Sequence, residues 1–260
     1  MALPPIDMTK AEAVLSEMFD DDRAVKDEFA QALDTELREL AAALAACFSL
    51  LPALNQAANR AQTMRSALVA GFAFGVLDDL LTSTKLLVAG KLLAAGNLMR
   101  QVVEGIAIAV LCSTDAPLII DQGKKTQTPA RECYWERLAA HDPRTHGHRA
   151  LKQLAWNADV LGVHGDGLNR LEALKAVYNT YSHTGPFAIA GRVAVGDGTA
   201  YVGGHFDPAK LDGYRQEIRL RLDLCRALPA FMRRMRASIT PTTDANPVPT
   251  AAQPSDPHGR

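Results

Sequence analysis

The stretch Tyr178-Asn179-Thr180-Tyr181-Ser182-His183 ends an apolar helical run, and Gly185 and Pro186 follow at once. On a helix, residues four apart share a face, so Tyr178 pairs with Ser182 and Asn179 with His183. A histidine in the last turn is favoured in its charged form by the helix dipole, which suits a proton donor. The same placement equally suits a histidine that caps the helix end. The spacing therefore allows either proton transfer beside hydroxyls and an amide, or a cluster of helix-terminal hydrogen bonds.

A second group lies in "GKLLAAGNLMRQVVEGIAIAVL", where Arg100 and Glu104 stand one helical turn apart among apolar residues. Charges are expensive to bury unless paired or hydrogen-bonded. This spacing predicts a coupled, buried pair that either fixes helix register or faces a ligand. Arg100 could then supply a cation opposite His183. A third group, His141, Asp142, His146 and His148, resembles a metal-binding tract. It lacks helical i, i+4 spacing and falls in a loop, a poor scaffold for a metal, so no metal is expected. A fourth group, Arg226, Arg233, Arg234 and Arg236, could track phosphates, but cations near a helix C-terminus are also ordinary solvated residues. No P-loop, dinucleotide fingerprint, G-x-S-x-G or H-E-x-x-H motif occurs, and no cofactor is expected.

The Tyr178–His183 stretch resembles the R-N-x-x-x-H motif of the HEPN superfamily, with Asn179 and His183 matching and Tyr178 standing where the family has arginine. Arg100 and Glu104, followed by Tyr181, His183 and Gly185, also resemble the A-x-x-L-x-R-x-x-x-E and Y-x-H-x-G helices of bacterial abortive-infection-type HEPN relatives. The resemblance covers the layout of residues 60–238. It implies a helical fold, a homodimer and an RNA-linked role. Active members cleave RNA without metal, using Arg and His from paired helices. The missing arginine implies a non-cleaving protein that binds RNA or a protein partner in stress or phage defence. The rival is a metal-independent ribonuclease, with His183 as acid or base, Asn179 orienting and Arg100 stabilising charge. A third reading is a small-molecule sensor whose interhelical pocket is lined by Tyr178, Tyr181, Ser182 and the Arg100–Glu104 pair.

The elements that must position these residues are helices. Of 260 residues, 48% are apolar but only 6% aromatic, so the core is built largely of Ala and Leu, both good helix formers. The net charge of −1 excludes a global field that draws in nucleic acid, and any such binding must use a local patch. The period Val25, Phe29, Leu33, Leu37, Leu40, Leu44 predicts a long helix, broken or kinked at Pro52. Thr9 and Glu12 form a capping-box pattern for a short helix before it. Residues 53–112 read as two or three helices, with Gly71, Gly75, Gly90 and Gly96 as break or close-packing points. Residues 113–128 read as a polar loop.

Residues 187–206, with Gly196-Asp197-Gly198 between two β-leaning runs, predict a small hairpin insertion. A last long helix follows from Pro208, bent at Pro229. The Pro- and Thr-rich residues 239–260 are expected to be a disordered tail, leaving 1–238 as one helical domain. The expected fold class is therefore all-α, a multi-helix bundle with a small β-hairpin. Cys47, Cys112, Cys133 and Cys225 are scattered and form no C-x-x-C pair, which argues against zinc or a disulfide framework and suits a reducing cytoplasm. The N-terminus lacks the pattern of a secretory signal. The apolar runs 66–77 and 86–112 read as core helices rather than membrane spans, the second because Lys91, Arg100 and Glu104 would be costly in lipid.

Overall fold

The computed structural model describes residues 7–123, 128–182 and 185–240. Its framework is an antiparallel pair of long helices, α4 (Met64–Val88) and α5 (Leu92–Leu111), the most closely packed elements of the fold. Both are rich in Ala, Gly, Val and Leu, so their surfaces are smooth enough for close approach over their whole length. The corner between them needs Gly90, whose φ is +71°. A Cβ there would also lie 2.3 Å from the backbone nitrogen of His205, so only glycine fits against that passing loop.

On one side of this pair lie α2 (Arg23–Phe48) and α11 (Leu211–Ile239), packed along each other, with α3 (Leu51–Ala61) against α4 and α11. The expected helical period of α2 is present, and Phe29, Leu33, Leu40, Leu44 and Cys47 are buried. The helix is interrupted at Leu33, where φ is −136° and ψ is 25°. Pro52 stands in the first turn of α3, where its missing N–H leaves no bond unmade. The short α1 (Ala11–Met18) precedes this group, and the Thr9–Glu12 capping box does not form: Lys10 is the N-cap and Thr9 donates to Asp7 instead.

On the other side, α7 (Gly147–Trp156) and α9 (Gly165–Ser182) pack on α5. Between α5 and α7 the chain forms β1 (Leu118–Asp121), β2 (Ala130–Glu132) and α6 (Tyr134–Ala139), and α8 (Ala158–Leu161) follows α7. The fold is therefore all-α, as the periodicity implies, with one small antiparallel two-stranded sheet among the described residues. The sheet is not where the sequence places it. It occupies 118–132, read above as a polar loop, because Leu118 and Ile120 are buried and the Asn157 amide brackets the backbone of Ile119. The stretch 187–206 instead begins as a helix, α10 (Pro186–Ala190), and its Gly-Asp-Gly turn closes a single bridge between Val193 and Ala200. Proline in the first helical turn favours α10, and the glycine-rich remainder leaves little for a ladder to bury.

Helix α11 runs through Ile239, which is buried, so the ordered core extends past the expected boundary at 238. The expected tail from 241 onward, and the Lys124-Lys125 pair, lie outside the described residues. Three helical stretches, Arg23–Ala61, Met64–Val88 and Leu92–Leu111, are long and apolar enough to cross a membrane by length and composition.

Candidate functional site

Helix α9 presents two different surfaces. Tyr178 and Tyr181, expected to line a cleft, point into the core, where their rings lie 5.5 Å apart between centroids. The Tyr178 hydroxyl donates to Oε2 of Glu217 at 3.2 Å, and the Tyr181 hydroxyl donates to Oε1. Glu217 also accepts from Nη1 of Arg221, at 2.6 Å, one turn further along α11. The second arm of Arg221 donates to the hydroxyl of Ser83 on α4 at 2.8 Å, and Ser83 donates to the carbonyl of Ala95 on α5 at 2.8 Å. Arg221 is 0% exposed. One polar network thus ties α4, α5, α9 and α11 together.

This network fixes the tyrosines. Burial pushes both phenols up from their ordinary value, and the Glu217 carboxylate adds to the effect while Arg221 opposes it. The close approach that places Tyr181 depends on Gly96 of α5, where a Cβ would lie 2.1 Å from the tyrosine ring. The small residue lets α5 and α9 meet, a use of Gly96 that the sequence reading includes. Glu217 and Arg221 are the residues that reading missed. They fall in step with Tyr214, Ile218, Leu222, Cys225 and Leu228, so a helical projection of α11 puts two charges on its buried face.

The strip of α9 beside the tyrosines is half-open. Arg100 on α5 donates from Nη1 to the Ser182 hydroxyl at 3.3 Å, and Ser182 donates to the carbonyl of Asn179 at 3.1 Å. Arg100 and Glu104 do approach each other, with Nε 3.6 Å from Oε1. Their side chains are 30% and 13% exposed, so the pair lies at the edge of the core rather than within it. Arg100 Nε and Glu104 Oε1 are themselves shielded and make no hydrogen bond among the described residues. Glu104 lies against the first residue of α7: a Cβ on Gly147 would be 2.7 Å from Oε2. The partial positive charge of a helix N-terminus favours a carboxylate there.

Lys175, one turn before Asn179, completes the group. Its ammonium donates to the carbonyl of His148 at 2.8 Å. Burial lowers its pKa from the ordinary value; the Glu104 carboxylate opposes this and the Arg100 guanidinium adds to it. The α5–α7–α9 junction therefore joins Arg100, Glu104 and Ser182 of the sequence-based site, with Asn179 entering through its backbone carbonyl, and adds Lys175. It leaves Tyr178 and Tyr181 behind it in the core. His183, the proposed acid or base, lies outside the described residues.

His146 and His148 are exposed at the start of α7, their ring centroids 6.0 Å apart. Among the described residues no group of three or more His, Cys, Asp or Glu is placed to hold a metal ion. The arginines at the end of α11 do separate things: Arg226 pairs with Glu39 at 2.6 Å, and Arg234 donates to the Leu161 and Gly162 carbonyls. No protein-family model matches the chain, and neither does a curated protein or a solved structure.

Proposed function

We propose that this protein is a non-cleaving, HEPN-like helical component of a bacterial stress or phage-defence system, and that it binds RNA phosphates at the α5–α7–α9 junction. The observation that carries the proposal is the split of α9 into two faces. Position 178, where the resembling motif has its arginine, holds a tyrosine turned into the core toward Glu217. The half-exposed cations Arg100 and Lys175 lie with Ser182 at the adjoining, more open strip of α9, about 40–60° round from Tyr178. Two cations share the single carboxylate Glu104 here, which leaves the junction a net positive charge to meet a phosphate, for which a guanidinium and an ammonium are both suited. A homodimer, which rests on the resemblance alone, and a cytoplasmic location, which rests on the scattered cysteines, are part of the same proposal.

The test is binding of labelled single-stranded RNA with chelator present, across a salt series. The RNA should stay intact, and affinity should fall steeply with salt. Arg100→Ala with Lys175→Ala should weaken binding across sequences and flatten the salt slope by about 1.4, roughly 0.7 for each lost contact to a single strand. Cleavage of the RNA would favour the ribonuclease reading. Equal affinity for the double variant and the wild type would remove the junction as the site.

A further inference from the structure

The four cysteines, far apart in sequence, are not scattered in space. Cys47, at the end of α2, and Cys225, in the middle of α11, lie on the packed faces of the two helices, and both are buried. The Cys47 thiol donates to the Cys225 carbonyl oxygen at 3.3 Å, across 178 positions of sequence. Hydrogen-bonding with the Cys225 thiol holds the Cys47 thiol below its ordinary pKa against the burial that opposes it. Cys225 moves the other way, raised by that same contact and by burial. The two thiols thus perturb each other's ionisation, and Cys47 serves as the thiolate once its proton leaves the Cys225 carbonyl, since that hydrogen bond favours the neutral thiol. The other two cysteines differ: burial pushes Cys112 up to about 12, and Cys133 is raised as well.

We propose that Cys47 and Cys225 form a redox pair that closes to a disulfide between α2 and α11 when the protein meets a small peroxide. Cys47, as thiolate, attacks one oxygen of hydrogen peroxide; the O–O bond breaks and hydroxide leaves, taking up the thiol proton as water. The resulting Cys47 sulfenic acid is attacked by the Cys225 sulfur as that thiol gives up its proton. The S–S bond forms, the S–O bond breaks, and a second water departs. Two thiols lose two electrons, and one peroxide becomes two waters. Burial suits this order of events. Both sulfurs are buried, so oxidation would proceed through local opening between α2 and α11, which admits a small peroxide more readily than the bulkier thiols that would intercept the sulfenic acid.

The closed disulfide would tie the N-terminal and C-terminal helices of the fold together. Cys225 lies one turn beyond Arg221 and two beyond Glu217 on the same face of α11, so the bond would also hold the network that anchors α9. Cross-links that close long loops restrict the unfolded chain most, so the oxidised protein should be the more stable form.

The experiment treats the reduced full chain with hydrogen peroxide, quenches it, and reads intact mass and a non-reducing peptide map. The expected result is a loss of about 2 Da, the two hydrogens of one disulfide, with the Cys47 peptide linked to the Cys225 peptide. A thiol reductant should reverse both, and the melting temperature of the oxidised form should rise by several degrees. Cys112→Ser with Cys133→Ser should leave the cross-link intact. Cys47→Ala and Cys225→Ser should each abolish it, and either variant suffices if the other fails to fold. Four free thiols after peroxide would overturn the proposal, as would oxygen retained on Cys47 without a cross-link, or a link that maps to Cys112 and Cys133.

Discussion

Arg221 and Glu217 face each other at 2.6 Å on α11, in a part of the core that solvent does not reach. Glu217 has no idle oxygen, since Tyr178, Tyr181 and Arg221 all donate to it. Arg221 meets Ser83 with its other arm, and among the described residues its Nε finds no partner. A buried pair of this kind need not stabilise relative to a well-packed apolar pair, but breaking one side strands the other charge. Glu217→Ala should therefore lower stability by about 3–5 kcal/mol in urea unfolding. Replacing both residues with Glu217→Leu and Arg221→Met should lose less than either single change, because no charge is stranded. A double variant as damaged as the sum of the singles would show that the pair acts through something other than its charge.

Buried phenols govern the response to alkali. The phenols of Tyr178 and Tyr181 are raised above their ordinary value of 10.0, and burial pushes Tyr214 up to about 12. A group whose pKa is raised by folding adds stability that is fully present below the unfolded value and is lost as pH rises toward the folded one. Stability should hold up to about pH 10 and then fall, with tyrosinate absorbance appearing together with loss of helical ellipticity. If the phenols of Tyr178, Tyr181 and Tyr214 ionised near pH 10 with the helices intact, their burial would be wrong.

Two glycines on the central helices should respond oppositely to alanine. At Gly96 the added methyl meets the Tyr181 ring, held from behind by Glu217, so Gly96→Ala should cost about 1–3 kcal/mol despite the gain in helix propensity. At Gly71, on the exposed side of α4, nothing lies within 4 Å of the new carbon, and Gly71→Ala should stabilise by about 0.5–1 kcal/mol. Thermal melts of the two variants decide it, and equal shifts would deny the close contact between α5 and α9.

Helical periodicity carries most of the architecture because a 3.6-residue repeat is a local property: Phe29, Leu33, Leu40 and Leu44 announce the buried face of α2 without reference to anything else. The β1–β2 sheet was not legible in the same way. Its strands are three and four residues long, and they are held by side chains that arrive later in the chain, the Asn157 amide on Ile119 and the Gln153 amide on the Ile120 carbonyl. The candidate site was half legible. Arg100 and Glu104 share a helix face that spacing reveals, and they do meet, with Ser182 of α9 beside Arg100. Which face of α9 turns inward is decided by Glu217 and Arg221, some forty positions further on, and no local pattern around Tyr178 carries that information.

That inward turn reverses the expectation for one substitution. In sequence, Tyr178→Arg restores R-N-x-x-x-H at its native spacing and predicts a gain of RNA cleavage. In the fold, the new guanidinium would enter the core beside Arg221 and compete with it for the single carboxylate of Glu217. A second buried cation without its own partner is among the few changes that cost more than about 3 kcal/mol. Tyr178→Phe removes only one hydrogen bond and keeps the ring in place, a loss of about 1 kcal/mol. We therefore expect Tyr178→Arg to unfold at much lower urea than Tyr178→Phe, and neither variant to cleave RNA with chelator present. A Tyr178→Arg protein as stable as the wild type would mean that the arginine has left the core for solvent. Cleavage by that stable variant would then place position 178 on the same open face as Arg100 and Lys175.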